Sequence, residues 1–245
     1  MQCDKEGCST LLKHGFAGSW KGRWLTLSLH FRHQFTHAAA TDASLQYDEH
    51  GKKGVSIGIW SGVQPDWRDE EPRTLGRRVG DGLWGMAVPA NWEIADAEMY
   101  AILRFLRLVA EASDEDAGVP VRERRVLVMS DCKPAMQQIE DAWRRGETCV
   151  AATAGTDAML EKICTHRKRL GCVIIVYTPG HQGISPNEYA DAAAKAHVWG
   201  KVDPFITTEI AQRIKSRPCI YHECNVGRGM CTRTTYESAR ISAGT

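Results

Sequence analysis

At 245 residues, 43% hydrophobic and 25% charged, with 22 Gly and 9 Pro, the chain has the composition of a globular domain with extensions, which excludes wholesale disorder and collagen-like repeats. No stretch approaches the roughly 18 apolar residues a membrane span needs, and Asp4, Lys5 and Glu6 stand where a signal peptide requires an apolar run. A cytoplasmic or nuclear protein that is not secreted and has no membrane partner is therefore expected, its nine cysteines reduced, and its net charge of +1 divides into a central region 42–198 with 24 acidic and 19 basic side chains between two basic arms.

In chain order, residues 20–31 hint at one short strand before His37. The segment from Ala38 to Ser44, the polar turn 48–53 and the alternating run from Val55 to Trp60 read as a hairpin, with Gly51 and Gly54 bending the turn. Residues 61–93 read as an inserted loop that leads through a third strand within 73–88. A helix is predicted over 95–112, with Leu103, Leu106 and Ala110 at helical spacing, then an acidic loop over 113–120. The short apolar run 126–129 reads as a strand buried on both faces. Pro134 opens a helix to about residue 145. A second helix follows over 157–170, then a buried strand over 173–177. Ser185, Pro186 and Glu188 form a helix-start signature, cap, first-turn proline and capping box, for a last helix to about residue 198. Strands first, then helix alternating with strand, describe an α/β protein with a mixed sheet flanked by helices.

Four carboxylates occupy awkward places in this layout. Asp42 follows an apolar strand start, Asp131 ends a buried strand, and Glu98 and Asp191 lie in the first turns of Ala-rich helices. Each alone reads as a turn, a cap or a dipole partner. Together, without matching cations, they would repel one another unless a divalent metal neutralised them, and hard oxygen ligands suit Mg²⁺ or Mn²⁺.

Thr41-Asp42-Ala43-Ser44, Ala97-Glu98-Met99-Tyr100-Ala101, Ser130-Asp131-Cys132-Lys133-Pro134-Ala135, and the run from Gly180-His181 through Asn187-Glu188 to Ala190-Asp191 and Ala194-Lys195 resemble, in order, the four catalytic motifs of the type 1 ribonuclease H family, particularly its retrotransposon members. The likeness spans about 36–198. The resemblance implies a ribonuclease H-like fold, a five-stranded mixed sheet with helices on both faces, in a domain over 36–199 between an N-terminal extension 1–35 and a poorly structured C-terminal extension 200–245. It implies that Asp42, Glu98, Asp131 and Asp191 hold two divalent ions, Mg²⁺ or Mn²⁺. It also implies that His181, on its Gly-flanked loop, assists proton transfer or product release, and that a monomer acts on the RNA strand of an RNA–DNA hybrid. The chemistry fits: paired metals activate water and stabilise the leaving 3′ oxygen. Asn187 and Glu188 are read as helix-start residues and given no catalytic task.

The sequence departs from the pattern at Ala43, where family members have Gly, and at Cys132, where Ser is common. Asn91 lies seven residues upstream of Glu98, so the Asn-rich turn many cellular members place there is missing. Trp67, Trp84 and Trp92 read as sheet packing before nucleic-acid stacking. His166-Arg167-Lys168-Arg169 reads as dipole compensation at a helix end, with phosphate binding as the second reading. Cys219, His222, Cys224 and Cys231 have no strong zinc spacing. The alternatives to the nuclease are a catalytically inactive nucleic-acid-binding module and a same-fold enzyme acting on DNA.

Overall fold

The computed structural model describes residues 35–63, 82–144, 157–181 and 185–206. The elements expected at 20–31, Trp67, the start of the third strand, the Ser185 side chain and the C-terminal cysteines lie outside these residues or atoms.

Five strands form one sheet: β1 (His37–Tyr47), β2 (Lys53–Val63), β3 (Gly82–Val88), β4 (Arg125–Ser130) and β5 (Cys172–Tyr177). Their order is β3-β2-β1-β4-β5. β1, β2 and β3 are antiparallel neighbours, while β4 is parallel to β1 and β5 to β4. This is the five-stranded mixed sheet of the ribonuclease H-like fold. The helices are α1 (Ile94–Glu111), α2 (Asp114–Ala117), α3 (Lys133–Arg144), α4 (Asp157–Arg169) and α5 (Ser185–Ala196). The expected acidic loop thus contains one helical turn, capped by the Ser113 hydroxyl, which accepts from the Asp116 amide, and closed by Gly118 in the left-handed region.

Side-chain alternation divides the core. Ala39, Ile57, Val126, Val128, Val173 and Ile175 face α1, α3 and α4, whereas Ala38, Ala40, Leu127, Met129, Ile174 and Val176 face the side of Ala190 in α5. The parallel strands have apolar residues on both faces because both are covered. Trp92 is fully buried and meets Tyr100 edge to face at 5.3 Å between ring centroids, the sheet-packing role expected for it. Arg124 is buried as well. Its guanidinium donates to Val109 O, Ala112 O, Val119 O and Ser113 O and pairs with Asp114, satisfying the last carbonyls of α1 where the chain leaves for β4.

Residues 201–206, expected within the C-terminal extension, wrap the free edge of β3. Ala87 donates to Lys201 O and accepts from Asp203 N, and Asp203 is buried against Tyr100 and Arg104. This strap pairs with β3 at Ala87, through one parallel bridge to Val202, near the end of the strand.

Glycine sets the position of α5. A Cβ on Gly58 of β2 would lie 1.9 Å from Ala190 O, and one on Gly85 of β3 would lie 2.4 Å from Ala193 O. The helix backbone therefore rests directly on the sheet, which fixes the depth at which its first turns stand. Gly58→Ala is expected to push α5 outward and to lower stability by about 1–3 kcal/mol, the usual cost of overpacking. A urea-denaturation midpoint unchanged by the substitution would contradict this account.

Candidate active site

The register between β1 and β4 builds the site. Thr41 pairs with Ser130 in parallel, so Asp42, midway along β1, stands beside Asp131, the residue that follows the end of β4. β1 runs on against β2 to Tyr47, whereas β4 ends at Ser130, so the pairing of β1 with β4 stops at Thr41. α1 crosses this end of the sheet and brings Glu98 to the same place. Carboxylate oxygens of Asp42, Glu98 and Asp131 lie within 4.8 Å of one another. The Ala43 amide donates to both Asp42 Oδ1 (2.7 Å) and Glu98 Oε1 (2.9 Å), holding the pair from one backbone point.

Electrostatics set the character of this trio. Asp42 is 8% exposed and Glu98 4%. Burial, then the neighbouring Asp131, pushes Asp42 up to about 6. Burial and the Asp42 carboxylate push Glu98 well above the usual carboxylate range. Asp131 is raised by burial, offset by the hydrogen bond from Asn187 and the nearby His181. Glu98 Oε2 is buried and receives no hydrogen bond. An orphaned oxygen among three converging acids, all of them hard donors, fits a divalent cation of the Mg²⁺ class.

Asp191 stands in an adjoining group. One ligand atom each of His181, Glu188 and Asp191 lies within 4.8 Å of the others. The charge of Asp191 acts on both Asp42 and Asp131, so the two groups face each other. The structure thus gathers three of the four expected metal carboxylates into one cluster and places the fourth with His181 in a second. Asp191 also accepts an ion pair from Lys195 at 2.7 Å, one helical turn on, which a cation arriving at Asp191 must replace. His181 occupies the left-handed region at φ 54. Its ring is largely exposed, with Nδ1 3.9 Å from Glu188 Oε2.

Two residues gain a role beyond the one the sequence suggested. Asn187 is 2% exposed; its amide donates to Asp131 while Oδ1 finds no partner. Glu188 faces His181 instead of serving only the helix start. Sequence reasoning passed over both as helix-start residues; their adjacency to the His181 loop is the signal that could have found them. Gly180 belongs to the same wall, since a Cβ there would meet Asp131 Oδ2 at 2.4 Å. Cys132, beside Asp131, keeps its proton: burial and the surrounding acids push its thiol up to about 12.

A pH dependence follows. Because the folded-state values of Asp42 and Glu98 lie above their unfolded ones, the native state binds more protons over the intervening range, so cation-free stability falls as pH rises from about 4 through about 6. A divalent cation binds only the ionised carboxylates, so its stabilising effect must grow over the same range. Thermal melts with and without millimolar Mg²⁺ are expected to show a small shift near about pH 5 and a larger one near about pH 8. Equal shifts at both would show that the cation binds elsewhere.

No family model matches the chain, and no curated protein matches it. Among solved structures it is similar to a foamy viral protease–reverse transcriptase in complex with RNA/DNA hybrid (11% identity over 78% of this chain, TM-score 0.49), of whose length it spans 22%. It is similar also to the PFV RNase H domain (14% identity, 68% of this chain and 96% of that one, TM-score 0.49) and to RNase H1 of Halobacterium salinarum NRC-1 (15% identity, 65% and 94%, TM-score 0.41). At such identities these are likenesses of fold. With its strand order, its mixed pairing and helices on both faces, the chain carries a domain of ribonuclease H-like fold.

Proposed function

We propose that this protein is a divalent-metal-dependent endonuclease that hydrolyses the RNA strand of an RNA–DNA hybrid. The observation that carries the reading is the convergence of Asp42, Glu98 and Asp131 where the pairing of β1 with β4 stops, with Glu98 Oε2 buried and without a hydrogen bond. A polyanionic substrate cannot approach so many carboxylates unless cations neutralise them, and ions held between carboxylates and phosphate supply that charge together with Lewis acidity at phosphorus.

In this reading Asp42, Glu98, Asp131 and Asp191 would hold two ions, Mg²⁺ or Mn²⁺, which would supply Lewis acidity at phosphorus. The Ala43 amide and Asn187 fix the carboxylates in place. Water attacks phosphorus as the bond to the 3′ oxygen breaks, giving a 5′ phosphate and a 3′ hydroxyl. His181, exposed on its loop beside Glu188 and Asp191, hands a proton to the leaving 3′ oxygen and is replenished from solvent.

The test is cleavage of strand-labelled RNA–DNA, RNA–RNA and DNA–DNA duplexes with Mg²⁺ or chelator. Cleavage of the RNA in the hybrid alone, abolished by chelator, is expected. Asp131→Asn and Glu98→Gln are expected to reduce kcat by about 10³-fold or more, and His181→Ala by about 10–10². Asn187→Ala, which removes a positioning contact, should weaken Mg²⁺ dependence before it weakens hybrid binding. Cutting of the DNA duplex alone would overturn the substrate, and no cutting of any duplex with intact hybrid binding would mark a binding module instead.

A further inference from the structure

A second concave site lies away from the acidic cluster. Between α1 and α4 the surface opens into a cavity of about 420 Å³ whose floor is Leu103 and Tyr100, whose one end is closed by Phe205, and whose walls carry Arg107, His166 and Arg169. Arg107 stands nine residues after Glu98 on α1, about 13–14 Å along the helix axis, so this is not an edge of the acidic site. The volume falls within the range of small-molecule sites.

Three features suit the cavity to an anion. Four basic side chains, Arg104, Arg107, Lys162 and Arg169, line it against two acidic ones, Glu111 and Glu161. Arg169 has no ion-pair partner among the described residues. Further, Arg107, Lys162 and Arg169 act together on His166, whose ring is held below its ordinary value by burial and by these three cations, with only Glu111 opposing; the imidazole is 7% exposed and its Nδ1 has no hydrogen-bond partner. Cations gathered round a neutral ring repel one another, as the carboxylates do at the other site. Lastly, the guanidinium carbons of Arg104 and Arg107 stand 4.1 Å and 4.7 Å from the Phe205 ring centroid. Asp203 fixes Arg104 and Glu111 fixes Arg107, so these two cations are already ordered.

We propose that this cavity binds a phosphomonoester with a flat, largely apolar body, such as a nucleoside monophosphate or the 5′-phosphorylated terminal nucleotide of a strand. Arg107 and Arg169 take the phosphate, which guanidinium groups suit by fixed, forked donation. Leu103, Tyr100 and the exposed part of Phe205 take the body. The site is independent of the proposed nuclease chemistry.

The experiment is a ³¹P NMR titration of adenosine monophosphate with the full chain in EDTA, which keeps cations from the acidic cluster. Saturable broadening and shift of the phosphorus signal are expected. Arg107→Gln with Arg169→Gln should weaken binding by about tenfold or more, and Thr165→Trp, which fills the exposed rim and leaves every charge in place, should do the same. Glu98→Gln should bind as the parent does. Competition by an oligonucleotide bearing a 5′ phosphate, but not by its 5′-hydroxyl counterpart, would assign a strand end; no competition by either would assign a free nucleotide. The proposal falls if the parent shows no saturable binding, if the double variant, folded by circular dichroism, binds undiminished, or if Glu98→Gln abolishes binding.

Discussion

Carboxylates buried beside one another demand either protons or a cation, and the rest of this structure is arranged around that demand. Separating like charges is the simpler solution, and a turn of helix in either direction would achieve it. Instead Thr41 pairs with Ser130 in parallel, so Asp42 and Asp131 emerge together, and Glu98 is turned toward them and shares the Ala43 amide with Asp42. The cost shows in the raised proton affinities of all three. Such an arrangement weakens the cation-free fold at neutral pH, and a bound cation would recover the loss.

The scaffold allows this by being rigid where the acids stand. β1 is central and flanked on both sides, so Asp42 moves only if the whole sheet moves. α5 rests on glycine-bearing strands without intervening side chains, which brings Asn187 and Asp191 up to the strand ends at a fixed height. His181, in contrast, sits on a loop in the left-handed region with its ring in solvent. In the proposed reaction the fixed acids would position the substrate, and the exposed imidazole beside them would serve the leaving group.

Much of this was legible in the sequence because strong local signals agreed with one another. Continuous apolar runs at 126–129 and 173–177 gave the buried parallel strands, and the alternation from Val55 to Trp60 gave β2. The four acids were found by their flanking residues, not by their charge. What the sequence hid is what depends on side-chain reach. Whether Asp191 joins the other three or faces them is decided by a few ångströms of helix placement, and its ion pair to Lys195 reads in sequence as an ordinary i,i+4 contact. Asn187 looked like a helix-start residue because its partner, Asp131, is 56 positions away. The strap at 201–206 was missed because one buried Asp carries it, and a single acid after a helix has no pattern to reveal it.

The same helix links the two ends of the molecule. The first turns of α1 hold Glu98, its middle holds Tyr100 and Arg104 against Asp203, and its last turns hold Arg107 in the cationic cavity. A packed helix transmits displacement along its axis with little loss, because core density leaves no room for it to bend independently at each end. A change in the seat of α1 at Arg104 and Arg107 would bear on Glu98 only if the helix moved as one body. A ligand in the cavity with no preference between two seats of α1 would leave the acids unmoved; one that favoured a single seat would bias them by its differential affinity and no more. The strap decides how large that effect can be, since the buried Asp203 opposes any shift of Arg104 that would leave its own charge unpaired.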